Sequence, residues 1–182
     1  MGVKGRRSRK LTDEPTLLSD VQSIIENAIE KGFIENYTVD IEKIVKDKGV
    51  ILKRDNELSS SVSGYLKMID KNWVIGVNAK HHPKRQRFTI AHEFAHYCLH
   101  KDDRGSFIDE EIYFRKSNDS SIEFNADRFA SEILMPEDLF RDAIVKEGIT
   151  KIKELSEKFN VSVLAIEHRA KNLNFKTKSN EK

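Results

Sequence analysis

The sequence predicts an α+β fold: a small antiparallel β-meander packed on a helical core, followed by a helix-turn-helix-like pair of helices. Three observations predict it. Apolar residues recur at three- and four-residue spacing through residues 15–49 and again beyond 83, the period of amphipathic helices. Residues 50–78 instead alternate, or run apolar in strand-length stretches. Gly, Pro, Asn and Asp punctuate the boundaries between these stretches.

In chain order, residues 1–14 carry Arg6, Arg7, Arg9 and Lys10 and read as a disordered basic tail. Residues 15–173 read as one domain. Pro15 suits a first helical position, Leu18, Val21, Ile24 or Ile25, Ala28 and Ile29 form its apolar face, and Gly32 stops it. Thr38 is the expected cap of a second helix, with Ile41, Ile44 and Val45 inward and Gly49 at its end. The strand candidates are Val50 to Lys53, Val62 to Ile69 and Trp73 to Val77. Val62, Gly64, Leu66 and Met68 alternate with Ser63, Tyr65 and Lys67, and Asp70-Lys71-Asn72 makes a hairpin turn. A long apolar helix then runs from Pro83 to His100, and a second from 120 to 135. Residues 101–120 join them and are long enough for a flap. Helices fill 136–173; Ser162 caps the last of them after Phe159-Asn160-Val161, and 174–182 read as a polar tail.

Composition bounds the function. The chain has 182 residues, enough for one sizeable core. It has 32 basic and 30 acidic residues, net charge +2, so its overall balance demands no anionic partner. A single cysteine, Cys98, forms no internal disulfide, in keeping with a reducing cytoplasm, and is read as a packing residue. No apolar run approaches the roughly 20 residues that span a bilayer. The expected location is cytoplasmic, without a membrane partner.

The chemistry concentrates in Arg87-Phe88-Thr89-Ile90-Ala91-His92-Glu93-Phe94-Ala95-His96-Tyr97-Cys98-Leu99-His100, which contains HExxH. Helical residues four apart lie about 40° apart in azimuth and about 6 Å in rise, so His92 and His96 can offer two imidazoles to one ion. Glu93 falls on the same side, beside the place of a bound water, and reads as a general base rather than a ligand. The helix is apolar nearly all round, and buried ionisable groups need partners or a metal. His100 reads as a cationic C-terminal cap.

A catalytic zinc site takes three protein ligands, and His, His and Glu is one such set. In Glu123-Phe124-Asn125-Ala126-Asp127-Arg128-Phe129-Ala130, a buried stripe places Glu123 and Asp127 along one edge. Glu123 is the candidate third ligand. Asp127, one turn on, is placed to accept a hydrogen bond from His92 or His96. Ser120 to Glu123 also fits a capping box, and Glu110, Glu111 and Asp103 are rival ligands without an apolar stripe behind them. His168, Tyr97, Tyr113 and Arg128 are candidates for stabilising an oxyanion; none is assigned.

The run RFTIAHEFAHYCLH, then EFNADRFASEILMP, then a Leu-Ser-x-x-Phe-x-Val-Ser segment resembles the ImmA/IrrE family of zinc metallopeptidases over roughly residues 60 to 173. It is also similar to the wider thermolysin-like, or gluzincin, arrangement. The resemblance implies zinc ligands His92, His96 and Glu123, Glu93 as catalytic base and Asp127 as support for a zinc-bound His. It further implies a zinc endopeptidase that cleaves a cytosolic helix-turn-helix repressor of a mobile element or stress regulon. From the residues, a sheet edge at Trp73–Asn78 or its neighbour from Val62 would align the substrate backbone. The competing reading is a non-cleaving, zinc-containing regulatory or toxin-like protein that binds a repressor or DNA. The second helix of the C-terminal pair could read a DNA groove, but its cations, Arg169 and Lys171, face the acid Glu167 in the same helix.

Overall fold

The computed structural model describes residues 14–100 and 120–175. In chain order these form α1 (Glu14–Glu30), β1 (Ile34–Glu35), β2 (Thr38–Val39), α2 (Ile41–Asp47), β3 (Ile51–Asp55), β4 (Gly64–Ile69), β5 (Asn72–Asn78), α3 (Pro83–His100), α4 (Ser120–Leu134), α5 (Glu137–Val145), α6 (Ile152–Lys158) and α7 (Val163–Asn172). The class is α+β. The basic tail and the 101–119 segment lie outside the described residues.

The sheet corrects one expectation. It is not an antiparallel meander but a mixed sheet of order β3-β5-β4, with β3 parallel and β4 antiparallel to β5. The reason lies in β5, where Val74, Ile75, Gly76 and Val77 are all buried. A strand buried on both faces belongs in the centre, and residues 56–63 carry the chain from one edge to the other. Asp70 and Lys71, with φ of 47° and 65°, make the tight left-handed turn that joins β4 to β5.

The alternation in β4 also differs. Leu66 faces the core, but Met68 is 53% exposed, and Tyr65 is buried on the opposite face. Its ring lies over its cross-strand partner Gly76, where an added Cβ would come within 2.1 Å of it.

Thr38 is not the cap of α2. It sits in β2 and donates to the Lys158 carbonyl at 3.0 Å, while Asp40 Oδ1 accepts from the Lys43 amide at 3.1 Å. Asn36 and Tyr37, both at positive φ, turn the small β1–β2 hairpin, which the apolar pattern did not signal because its strands have two residues each. Helices α1 and α2 stop as expected at Gly32 and Gly49, with φ of 67° and 75°. Asn174 ends α7 the same way, at φ 60°. Phe175 then donates its amide to Ala170 and packs 6.0 Å from Phe140, so the polar tail expected from 174 begins only after Phe175.

Helix α3 is the centre of the molecule. Ile90, Ala91, Phe94 and Ala95 meet Ala126, Phe129, Ala130 and Ile133 of α4 in one core, all at 0% exposure. The opposing alanines let the two axes approach closely. Leu66, Ile75 and Val77 join the same core from the sheet, and Ile166 and Ala170 join it from α7. Arg169 is buried as well; its Nε donates to the Met135 carbonyl at 3.0 Å and its Nη1 lies 3.7 Å from Glu132. One of the two cations that could have served a DNA contact is therefore spent on tying α7 to α4. No helix among the described residues is long and apolar enough to cross a membrane.

Candidate metal centre

The packing of α3 on α4 decides what faces what. With Ala91 and Ala95 turned into the helix interface, His92 and His96 emerge along its rim, and α4 brings Glu123 to the same place. His92 Nε2 lies 3.1 Å from His96 Nε2 and 3.3 Å from Glu123 Oε2, and His96 Nε2 lies 3.6 Å from Glu123 Oε1. Donors held at about 2.0–2.2 Å around a tetrahedral ion lie about 3.3–3.6 Å from one another. Two imidazoles and a carboxylate at this spacing could hold a divalent metal ion, with one coordination position left over.

Burial grades across the triangle. The His96 side chain is 1% exposed, His92 18% and Glu123 43%. The site therefore opens on the Glu123 side.

Asp127, one helical turn beyond Glu123, places Oδ1 2.9 Å from His92 Nδ1. That bond holds the proton on Nδ1 and leaves the Nε2 lone pair aimed into the triangle. Burial opposes a positive charge on His92. The hydrogen bond to Asp127 and the charges of Glu93, Asp127 and Glu123 together outweigh it and raise its pKa above the ordinary 6.5. Carboxylates surround these imidazoles, and the field they make favours a cation.

Glu93 is half-buried and turned toward the sheet: a Cβ added to Gly64 would stand 3.6 Å from its Cγ. Glu93 thus occupies the gap between the donor triangle and the first residue of β4. Strand β4 pairs with β5 alone and leaves its other edge free among the described residues. The Trp73–Asn78 strand, by contrast, is central, so it offers no edge to a substrate.

Two residues that shape this gap escaped the sequence reading. Gly64 sits where any side chain would strike Thr89 Cγ2 at 2.5 Å and the Gly76 carbonyl at 2.7 Å. Asn78, fully buried, donates from Nδ2 to the carbonyls of Ser59 and Val62 at 2.9 and 2.8 Å and accepts from the Lys80 amide at 3.0 Å. It clamps the segment that leads into β4. An Asn closing an apolar strand was the one available signal.

The rival ligands Asp103, Glu110 and Glu111, and Tyr113, lie outside the described residues, as does the side chain of His100. Tyr97 stacks on Phe94 with its hydroxyl 3.5 Å from the Lys48 carbonyl. Arg128 Nε reaches Glu132 at 3.2 Å, and His168 is exposed on α7. Cys98 is partly buried against the core.

The chain is 34% identical over 91 residues to the radiation response metalloprotease IrrE of Deinococcus radiodurans, covering 49% of this chain and 28% of that protein. It is 36% identical over 91 residues to the protein of the same name from Deinococcus deserti, covering 49% of this chain and 32% of the relative. The matched part is less than a third of either relative's length. Among solved structures, a Mycobacterium tuberculosis transcriptional regulator superposes with a TM-score of 0.63 at 18% identity, covering 88% of this chain and 48% of that one, a likeness of fold. The profile of the IrrE N-terminal-like domain, Peptidase_M78, matches residues 50–171, from the start of the sheet to the last turns of α7. The chain belongs to the ImmA/IrrE family.

Proposed function

We propose that this protein is a zinc-dependent endopeptidase that cleaves a cytosolic helix-turn-helix transcriptional repressor and so relieves repression. The observation that carries the reading is the triangle of His92, His96 and Glu123 donors, with Glu93 beside it and Asp127 behind it. In this reading His92, His96 and Glu123 hold the zinc ion, and the donor set, mixed N and O with three protein ligands, fits a catalytic site rather than a four-ligand structural one. When bound, zinc supplies Lewis-acid polarisation of the scissile carbonyl and of the attacking water.

The protein's own groups do the rest. Asp127 fixes the tautomer of His92. Glu93 takes the proton from the attacking water and delivers it to the leaving amine, as a carboxylate within reach of both can. The free edge of β4 receives the substrate as an added extended strand, through backbone hydrogen bonds that tolerate varied side chains. That both Deinococcus relatives are named metalloproteases supports the peptidase reading. The repressor as substrate rests on the family resemblance.

The test is co-incubation with the repressor encoded nearby, beside metal analysis. Wild type should cut it, Glu93→Gln should bind zinc stoichiometrically without cutting, and His96→Ala should lose zinc and activity together. Equal cleavage by wild type and Glu93→Gln would remove Glu93 as the base; zinc bound without cleavage by wild type would leave a repressor-binding regulator.

A further inference from the structure

Arg85, Thr89 and Glu93 stand at successive four-residue steps on α3 and form one row along the face that meets the start of β4. Thr89 and Glu93 both lie against Gly64, and Arg85 donates from Nη2 to Ser63 Oγ at 2.9 Å. The row therefore packs on the start of β4, with Thr89 buried between Glu93 at one end and an exposed guanidinium at the other.

The cations around Arg85 are engaged elsewhere. Lys84 pairs with Glu157 at 2.7 Å, Arg87 donates to the carbonyls of Asn160 and Val39 at 3.1 and 2.9 Å, and Lys80 reaches the Leu58 carbonyl at 3.3 Å. Arg85 is exposed, its partner is a neutral hydroxyl, and no carboxylate among the described residues pairs with it. A guanidinium left with open donors is a carboxylate receptor.

We propose that Arg85 is a specificity-determining residue: it binds an acidic side chain of an extended peptide laid along β4. This rests on the reading of the cleft as a peptidase site. Arg85 meets Ser63 and Glu93 meets the next residue, Gly64, so the preferred Asp or Glu lies near the bond that faces Glu93, where the peptide runs past the start of β4.

The experiment selects a degenerate decapeptide library on immobilised, zinc-loaded Glu93→Gln protein, alone or combined with Arg85→Gln or Arg85→Glu, and sequences the retained peptides by mass spectrometry. The parent should enrich Asp and Glu at one position by about fivefold, as one exposed ion pair allows. Arg85→Gln should abolish that enrichment, and Arg85→Glu should replace it with Lys and Arg, an inversion that a misfolded variant cannot give. The same acid preference in all three proteins, or none in the parent, overturns the subsite. The retained peptides are then offered to zinc-loaded protein with Glu93 intact. Retention that depends on Arg85 without cutting upholds the subsite and sinks the peptidase reading. Cutting that ignores the acidic position sinks the subsite and upholds the peptidase.

Discussion

Asp127 touches no substrate in this scheme; its work is done on the ring of His92. Removing such a carboxylate from behind a metal-binding imidazole typically lowers metal affinity by about 10–100-fold. Asp127→Ala should therefore weaken zinc binding by that factor in competition with a chromophoric chelator, while the fold, to which this exposed side chain adds little, stays intact. Unchanged affinity would show that the 2.9 Å contact does not orient His92. At this scale the sequence was legible where the signal was local. His92, Glu93 and His96 announce themselves by helical spacing, and Glu123 with Asp127 repeats that spacing on a second apolar stripe. Gly64 and Asn78 gave no such signal, because what they touch is set by strands and loops far away in the chain.

Among the elements, β4 matters most, because its position against α3 defines the cleft. A methyl group at residue 64 would meet the Thr89 side chain at 2.5 Å and the backbone carbonyl of Gly76 at 2.7 Å, and neither backbone nor a buried Thr yields cheaply. Gly64→Ala should cost about 1–3 kcal/mol, read from the urea midpoint, as overpacking of a dense interior does. It should also raise KM with zinc content unchanged, since the strand moves while the donor triangle does not. A variant with wild-type stability and KM would mean that β4 is free to shift. The order of the sheet could not be read from alternation alone. The apolar run of β5 was read as a substrate-aligning edge when it is the central strand, and its parallel partner β3 is reached through residues 56–63, whose composition does not disclose the crossover.

At the level of the whole molecule, the helices beyond Pro136 complete the core rather than stand apart from it. Arg169, 5% exposed, bonds to Met135 at the end of α4, so α7 braces the helix that carries Glu123. The apolar period located these helices and Ser162 capped α7 as its residue type suggested, but the inward turn of Arg169 was illegible, since a lone Arg on a polar helix reads as solvated. His96 and Glu123 are 27 positions apart and belong to different helices. An ion gripping both is a removable cross-link that closes a long loop, and it counts against the denatured chain just as a disulfide would. At a free metal concentration about one hundred times the dissociation constant, mass action adds about 2.7 kcal/mol. For a chain of this size that is roughly 5–10 °C in melting temperature, so chelation should lower the thermal midpoint by that amount, and the loss should vanish in Glu123→Ala. The clasp that would perform the chemistry would also make the protein's heat resistance a gauge of metal supply.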